Sequence, residues 1–380
     1  MKKLLSSILL SLVCLGFGYT QPNKIIQSAL DSILSASDYP GLVFTHIDSN
    51  NHVRTFASGW ADKENQVEMA TSHKLHGGST GKKVVSAVVM QLISEGKLNL
   101  EDRSSKFLGD YAWYGRLANA KEITIRNLLQ HTSGIIRYEF KDAFLEDLKK
   151  DPTRVWKPEE LLSYVLDDEP PFEAGSGFTY ADTNYILLGM IIEQISGNDF
   201  YSEANRRVLK PLSLTSFSPT SNDAIAKMAQ GYYTEGSEYA LGFKAPFLVD
   251  GRAQNNMQFE WTGGGYFYEN ADYARLLKSI YEGEAFDMTQ LRADFFSYVN
   301  APEIQGSYGL GVIKYEFPGL GTFIGHSGFF PGYNTAGFYH AESRQVFTMQ
   351  INSTEMPQLR RFFTDYLGMV RMIMNYDMSK

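Results

Sequence analysis

A single cysteine, Cys14, stands in this chain, and it falls close to the N-terminus. If the segment around it is removed, the mature protein carries no thiol. That excludes disulfide bonds and a cysteine nucleophile, and it permits an oxidising compartment without requiring one. A basic excess is missing as well: Lys and Arg total 35 against 43 Asp and Glu, a formal charge of −8. Without clustered positive charge the chain cannot neutralise a phosphate backbone, so no nucleic-acid partner is expected. Like-charge tails, low-complexity tracts and repeats of about 20–50 residues are also lacking. The N-terminal apolar stretch from Leu4 to Gly18, interrupted only by a few serines, is shorter than the roughly 20 residues of a membrane span.

That stretch follows Lys2 and Lys3 and ends in the small residues Gly16 and Gly18. The layout is that of a secretory signal peptide over residues 1–20, with cleavage between Gly18 and Gln21. The protein is therefore expected to be exported, periplasmic or secreted, with no stable membrane span after cleavage. Lipid attachment at Cys14 is the other use of that thiol. Val13, where a small residue is usual, and the apolar residues continuing past Cys14 argue against it.

What the chain has is apolar bulk. Its 380 residues are 43% hydrophobic and 14% aromatic, enough for one large domain or two interleaved ones. Helical spacing of Ile25, Ile26, Ala29, Ile33 and Leu34 predicts a helix over 24–36, and two strands follow over 41–47 and 52–58. The middle is helix-rich: Val85, Val88, Val89 and Leu92 share one face, residues 125–130 end at Ser133-Gly134, and 185–195 is stopped by Gly197. Strands return over 322–328, 334–341 and 345–352, and an amphipathic helix closes the chain over 356–374. The expected fold is α+β, with an antiparallel sheet built from both chain ends, flanked by helices, and a mostly helical region inserted between them. Residues 23–75 and 301–380 would form the sheet subdomain and 76–300 the helix-rich one, with a catalytic site between the two.

Three stretches carry candidate chemistry. In GGSTGKKVV, Ser79 and Lys82 stand three apart at a predicted helix start, where their side chains share a face and the free N–H groups favour developing negative charge. A serine there, beside a partly buried lysine, could be deprotonated and acylated. Equally, Ser79 could be an N-cap and Lys82 a solvated first-turn residue. In FTYADTNYILL, Tyr180 stands at a loop–helix junction. A neighbouring ammonium would lower its pKa and fit it for general-base work, or it could be a packed aromatic beside an N-cap at Asp182 or Thr183. In GHSGFFPGYN, glycines 325, 328 and 332 suggest that something approaches the backbone closely, and a strand N–H could complete an oxyanion hole. The plainer reading is a Gly-rich hairpin with an incidental histidine. His73 and His76 lack a third ligand, so no metal is expected, and they and His131 read as structural. Lys83, about 100° round the helix from Lys82, reads as ordinary.

Taken together and in this order, the three stretches resemble those of the penicillin-recognising serine hydrolases, in the branch with class C β-lactamases, D-Ala-D-Ala carboxypeptidases, esterases and D-aminopeptidases. Ser79-Thr80-Gly81-Lys82 is similar to the family's Ser-x-x-Lys. Tyr180-Ala181-Asp182 stands where the family has Tyr-x-Asn, and His326-Ser327-Gly328 where it has Lys/His-Thr/Ser-Gly. ASGWAD (57–62), ITIRNLLQHTSGI (123–135) and SYGLGV (307–312) extend the likeness over nearly all of the mature chain. The resemblance implies a β-lactamase/transpeptidase-like fold, with Ser79 as nucleophile and Lys82 assisting its deprotonation. It implies Tyr180 as the proton carrier, His326 and Ser327-Gly328 as substrate-positioning residues, and an oxyanion hole from the N–H groups of Ser79 and Phe329. It implies no cofactor.

Asp182 departs from the pattern, since an ionised aspartate accepts but cannot donate to a substrate carbonyl. If it faces the site it should pair with Lys82, hold it protonated and shift the base role toward Tyr180. If it only caps the helix it should affect stability instead. Histidine at 326, largely neutral at pH 7, leaves carboxylate binding to other residues. The expectation is a hydrolase acting on a small peptide or ester, of the carboxypeptidase-like peptidase or esterase kind. The alternatives are a β-lactamase and a catalytically weak binder of peptidoglycan fragments.

Overall fold

The computed structural model describes residues 23–221 and 224–378; the N-terminal leader reading lies outside them. A nine-stranded antiparallel sheet organises the chain. In spatial order its strands are Val67–Glu68, Val53–Asp62, Gly41–Ile47, Gln345–Ile351, Tyr333–His340, Gly321–Phe330, Ile313–Phe317, Gly306–Tyr308 and Val299–Ala301. The two chain ends meet at its centre, where Phe44 lies opposite Met349 and Thr45 opposite Thr348. The helical middle is inserted between, so the α+β architecture expected from the order of elements is the one observed.

Period-two alternation sorts the central strands onto two faces. Leu42, Phe44, Phe338, Phe347 and Met349 pack under the first helix (residues 23–37) and the closing helix Met356–Met378, through Leu30, Phe362, Tyr366, Val370 and Ile373. Val43, Ile47 and Val346 face the opposite core, with Tyr273 and Leu277 of the helix Asn270–Tyr281. With both faces covered, every residue of Gly41–Ile47 is buried, which is why that strand reads as a nearly continuous apolar run.

The helix Lys82–Ser94 runs through the interior rather than along the surface. Of its thirteen residues ten are buried, including both lysines and Ser86, so the single apolar face seen in the sequence understates its burial. Beside it lies Thr183–Ser196, buried on all sides from Thr183 to Ile192 and terminated by Gly197 at φ +70°, the left-handed end that glycine adopts without strain.

Candidate active site

Ser79 sits on one 3₁₀ turn, Gly78–Gly81, that leads directly into the helix Lys82–Ser94. Side chains three apart eclipse in such a turn, and Lys82 Nζ donates to Ser79 Oγ at 3.1 Å. The turn is pressed backbone to backbone against the strand Gly321–Phe330. Gly78 has φ +53°, and a Cβ on it would lie 2.5 Å from the Phe329 amide nitrogen. A Cβ on Gly328 would run into the Gly77 carbonyl oxygen. The close approach expected at the glycines of that strand is thus made, at position 328, by the serine's own turn. His76 fixes the turn from behind, its Nδ1 accepting from the Gly78 N–H at 2.8 Å.

Lys82 is fully buried, and its ammonium has three acceptors: Ser79 Oγ, Asp182 Oδ1 at 2.6 Å and the Gly263 carbonyl. All three N–H bonds are donated, which leaves no lone pair for the serine proton. Burial works against this charge, but the Asp182 carboxylate and Tyr180 outweigh it and hold the lysine protonated above its ordinary range. Asp182 stands at the N-cap position of Thr183–Ser196 yet makes no capping hydrogen bond. Its carboxylate is turned to the lysine: the Asn184 and Tyr185 N–H groups already donate to the Ala181 and Asp182 carbonyls, whereas a buried ammonium needs a counter-charge.

The Tyr180 ring lies 5.0 Å from Lys82 Nζ. Its hydroxyl is buried and lacks a well-formed hydrogen bond, although Lys82 and Ser79 both favour its ionised form. Burial pushes the phenol up, Lys82 pulls it down and Asp182 pushes it up again, so it ends above its ordinary value. The lowered pKa expected from the ammonium alone does not materialise, because burial, and after it the Asp182 charge, outweigh that ammonium. His131, read as structural, supports this tyrosine directly. Its ring stands 4.2 Å from the Tyr180 ring, and its Nδ1 accepts from the Ala181 N–H at 3.2 Å.

His326 is buried under the cleft floor. Its Nδ1 lies 2.5 Å from the Ser327 carbonyl oxygen, so it is the protonated nitrogen, and Nε2 accepts from the Tyr308 hydroxyl at 2.8 Å. Burial pushes its pKa down to about 3, which keeps the ring neutral. Ser79, Tyr180, His326, Ser327, Gly328 and Phe329 line one cleft of about 270 Å³, and Asp182 lies behind it on Lys82. The same cleft brings in Arg137, Glu303 and Asn334, which the sequence reading did not single out. Arg137 follows the HTSGI stretch and Glu303 precedes SYGLGV, so their positions beside conspicuous segments were the available signal.

Lys83 is not ordinary. It is fully buried, donates to the Gly311 carbonyl at 3.1 Å and lies 5.0 Å from the Tyr281 ring centroid; burial drives its pKa well below the usual range. Among the described residues no group of three or more His, Cys, Asp and Glu side chains is placed to hold a metal.

A family model described as Beta-lactamase matches residues 25–365. Penicillin-binding protein 4* of Bacillus subtilis (strain 168) is 24% identical over 341 residues, covering 87% of this chain and 72% of that protein. Among solved structures, the D-amino acid amidase from Ochrobactrum anthropi SV3 complexed with D-phenylalanine superposes with a TM-score of 0.78 at 19% identity, over 93% of this chain and 99% of that one. The D-stereospecific amidohydrolase from Streptomyces sp. gives 0.73 at 24% identity, over 86% and 93%.

Proposed function

The chain belongs to the β-lactamase family of penicillin-recognising serine hydrolases, and from that premise we propose that it is an exported hydrolase of small amides, peptides or esters, working through an acyl-enzyme at Ser79. The observation that carries this reading is the Ser79 Oγ–Lys82 Nζ hydrogen bond of 3.1 Å at the foot of an open cleft. Ser79 attacks the carbonyl. Its proton passes to Lys82 as the lysine hands one of its own to Asp182, 2.6 Å away, so the pair accepts one proton without stranding a second charge. The backbone N–H groups of Ser79 and Phe329 receive the developing oxyanion. Tyr180, kept as a phenol, gives its proton to the leaving group and recovers one from the lysine–aspartate pair. It then serves the deacylating water in the reverse sense.

Amides and esters fit this site better than β-lactams. Asp182 offers no N–H to an acylamido carbonyl, and neutral His326 offers no cation to the carboxylate that β-lactams and D-Ala-D-Ala peptides carry. The D-amino acid amidase fold neighbours support an amide-cleaving reading over the carboxypeptidase one. The test is covalent labelling with an activated fluorophosphonate, followed by a panel of D-amino-acid amide, D-Ala-D-Ala peptide, short acyl ester and nitrocefin. Labelling and turnover of the amide or ester are expected, with Ser79→Ala lowering both by at least a thousandfold, on the order of a lost nucleophile. A wild-type protein that takes no label refutes the proposal.

A further inference from the structure

The charges around the cleft do not cancel. Lys82 is matched by Asp182 at 2.6 Å, and Arg137, whose Nε donates to Glu139 Oε1 at 2.7 Å, is matched by that carboxylate. His326 spends Nδ1 on the Ser327 carbonyl and Nε2 on the Tyr308 hydroxyl. Glu303 remains. It lies on the short turn Pro302–Ile304 that leads to the strand Gly306–Tyr308, and it shares the cleft wall with Ser79 and Tyr180. One carboxylate oxygen, Oε2, accepts from the Tyr180 backbone N–H at 3.1 Å, which fixes the group beside that residue in the cleft Ser79 also lines. Among the described residues no lysine or arginine is paired with it. A carboxylate held by a backbone N–H, unmatched by a cation among the described residues and lining the cleft, is a receptor for an ammonium group.

We propose that Glu303 determines specificity by binding an ammonium group that the substrate carries close to the scissile carbonyl. The inference rests on the hydrolase reading above and narrows it: the preferred substrates are cationic, amine-bearing amides, esters or short peptides, and anionic ones are disfavoured. The ammonium could belong to the acyl half, as in an amino-acid amide with a free α-amine, or to the leaving group, and the experiment separates these sources.

The test compares isosteric substrates. One arm pairs α-amino with α-hydroxy acyl p-nitroanilides of both configurations, and the other pairs 2-aminoethyl with 2-hydroxyethyl acetate. In the wild-type protein at low salt, the ammonium member of at least one pair is expected to have a kcat/KM about tenfold higher, roughly 1.4 kcal/mol. The advantage should shrink as salt is added. Glu303→Gln, which can still accept from the Tyr180 N–H, should reduce that ratio to about twofold or less, and Glu303→Asp should retain most of it. Equal rates for both members of both pairs in the wild type would overturn the inference without any variant, and so would a ratio that survives Glu303→Gln. Fluorophosphonate labelling of the same samples keeps the two readings apart. Labelling without an ammonium preference removes only the role of Glu303, whereas absence of labelling removes the hydrolase.

Discussion

Asp182 is the residue on which the chemistry turns. Where an asparagine would donate to a bound carbonyl, this aspartate pairs with Lys82 and keeps it charged. Replacing it by asparagine leaves a buried lysine without a counter-ion, a loss of about 3–5 kcal/mol if the charge stays. Lys82 is expected to respond by shedding its proton, which turns it into the base. Asp182→Asn should therefore melt at lower temperature yet be acylated faster by penicillin, with the pH dependence of acylation moved to lower pH. An unchanged acylation rate, measured with a fluorescent penicillin, would refute this. His326 supplies a second residue-scale prediction. Burial lowers its pKa from 6.5 to about 3, so between those values the unfolded chain binds a proton that the folded chain does not. Stability from this group is complete above about pH 6.5 and falls as the pH drops toward 3, by about 1.4 kcal/mol per pH unit. Buried His76 and His131 act in the same direction. Urea denaturation from pH 7 to 4.5 should show that loss, with the slope reduced by about one proton in His326→Asn.

At the scale of elements, the site is made where a turn and a strand touch through glycine. Gly77 and Gly78 on one side and Gly328 on the other let Phe329 lie against the residue before Ser79. A methyl at 328 must displace the Gly77 carbonyl, and overpacking of that kind costs about 1–3 kcal/mol. Gly328→Ala should therefore unfold at lower denaturant and lose more than tenfold in fluorophosphonate labelling rate, because the turn carrying Ser79 is what moves. Normal labelling in a destabilised variant would separate the packing from the site. Gly328 itself was legible as a sign of close approach, whereas Gly77 and Gly78 read only as part of a helix entry. What approached Gly328 was not legible, because the contact joins positions 77 and 328, far apart in sequence. Lys83 shows the same limit: one position round the helix from Lys82 it read as ordinary, but Tyr281 and Phe295, brought in from the separate helices Asn270–Tyr281 and Met288–Phe295, flank its buried ammonium.

Across the whole molecule, the sheet depends on both ends of the chain. The closing helix buries Phe362, Tyr366, Met369, Val370 and Ile373 over the strands that include Phe338 and Phe347. Each such side chain contributes about 1.5–3 kcal/mol, so together they are comparable to the whole stability of a domain, roughly 5–15 kcal/mol. Deleting residues 356–380 should abolish the cooperative thermal transition and fluorophosphonate labelling together, although Ser79 lies far from that helix in sequence. A truncated protein that still labels at the native rate would show that the helical middle stands alone.

Local periodicity and short-range spacing determined much of this protein. Alternating and 3.6-residue patterns placed the strands and helices they picked out to within a few residues, though not the helix Asn270–Tyr281 or the strands from Val299 to Phe317. The order of those elements implied a sheet closed by both termini, and the three-residue step from Ser79 to Lys82 put two reactive groups on one face. These are properties of neighbours along the chain, so they survive without coordinates. Tertiary structure decided the protonation of the site. Whether Asp182 caps a helix or clamps Lys82 depends on which groups are buried together, and so does the rise rather than fall of the Tyr180 pKa. The cleft's unmatched carboxylate at Glu303 belongs to the same class, because charge balance is a sum over residues that only folding makes adjacent.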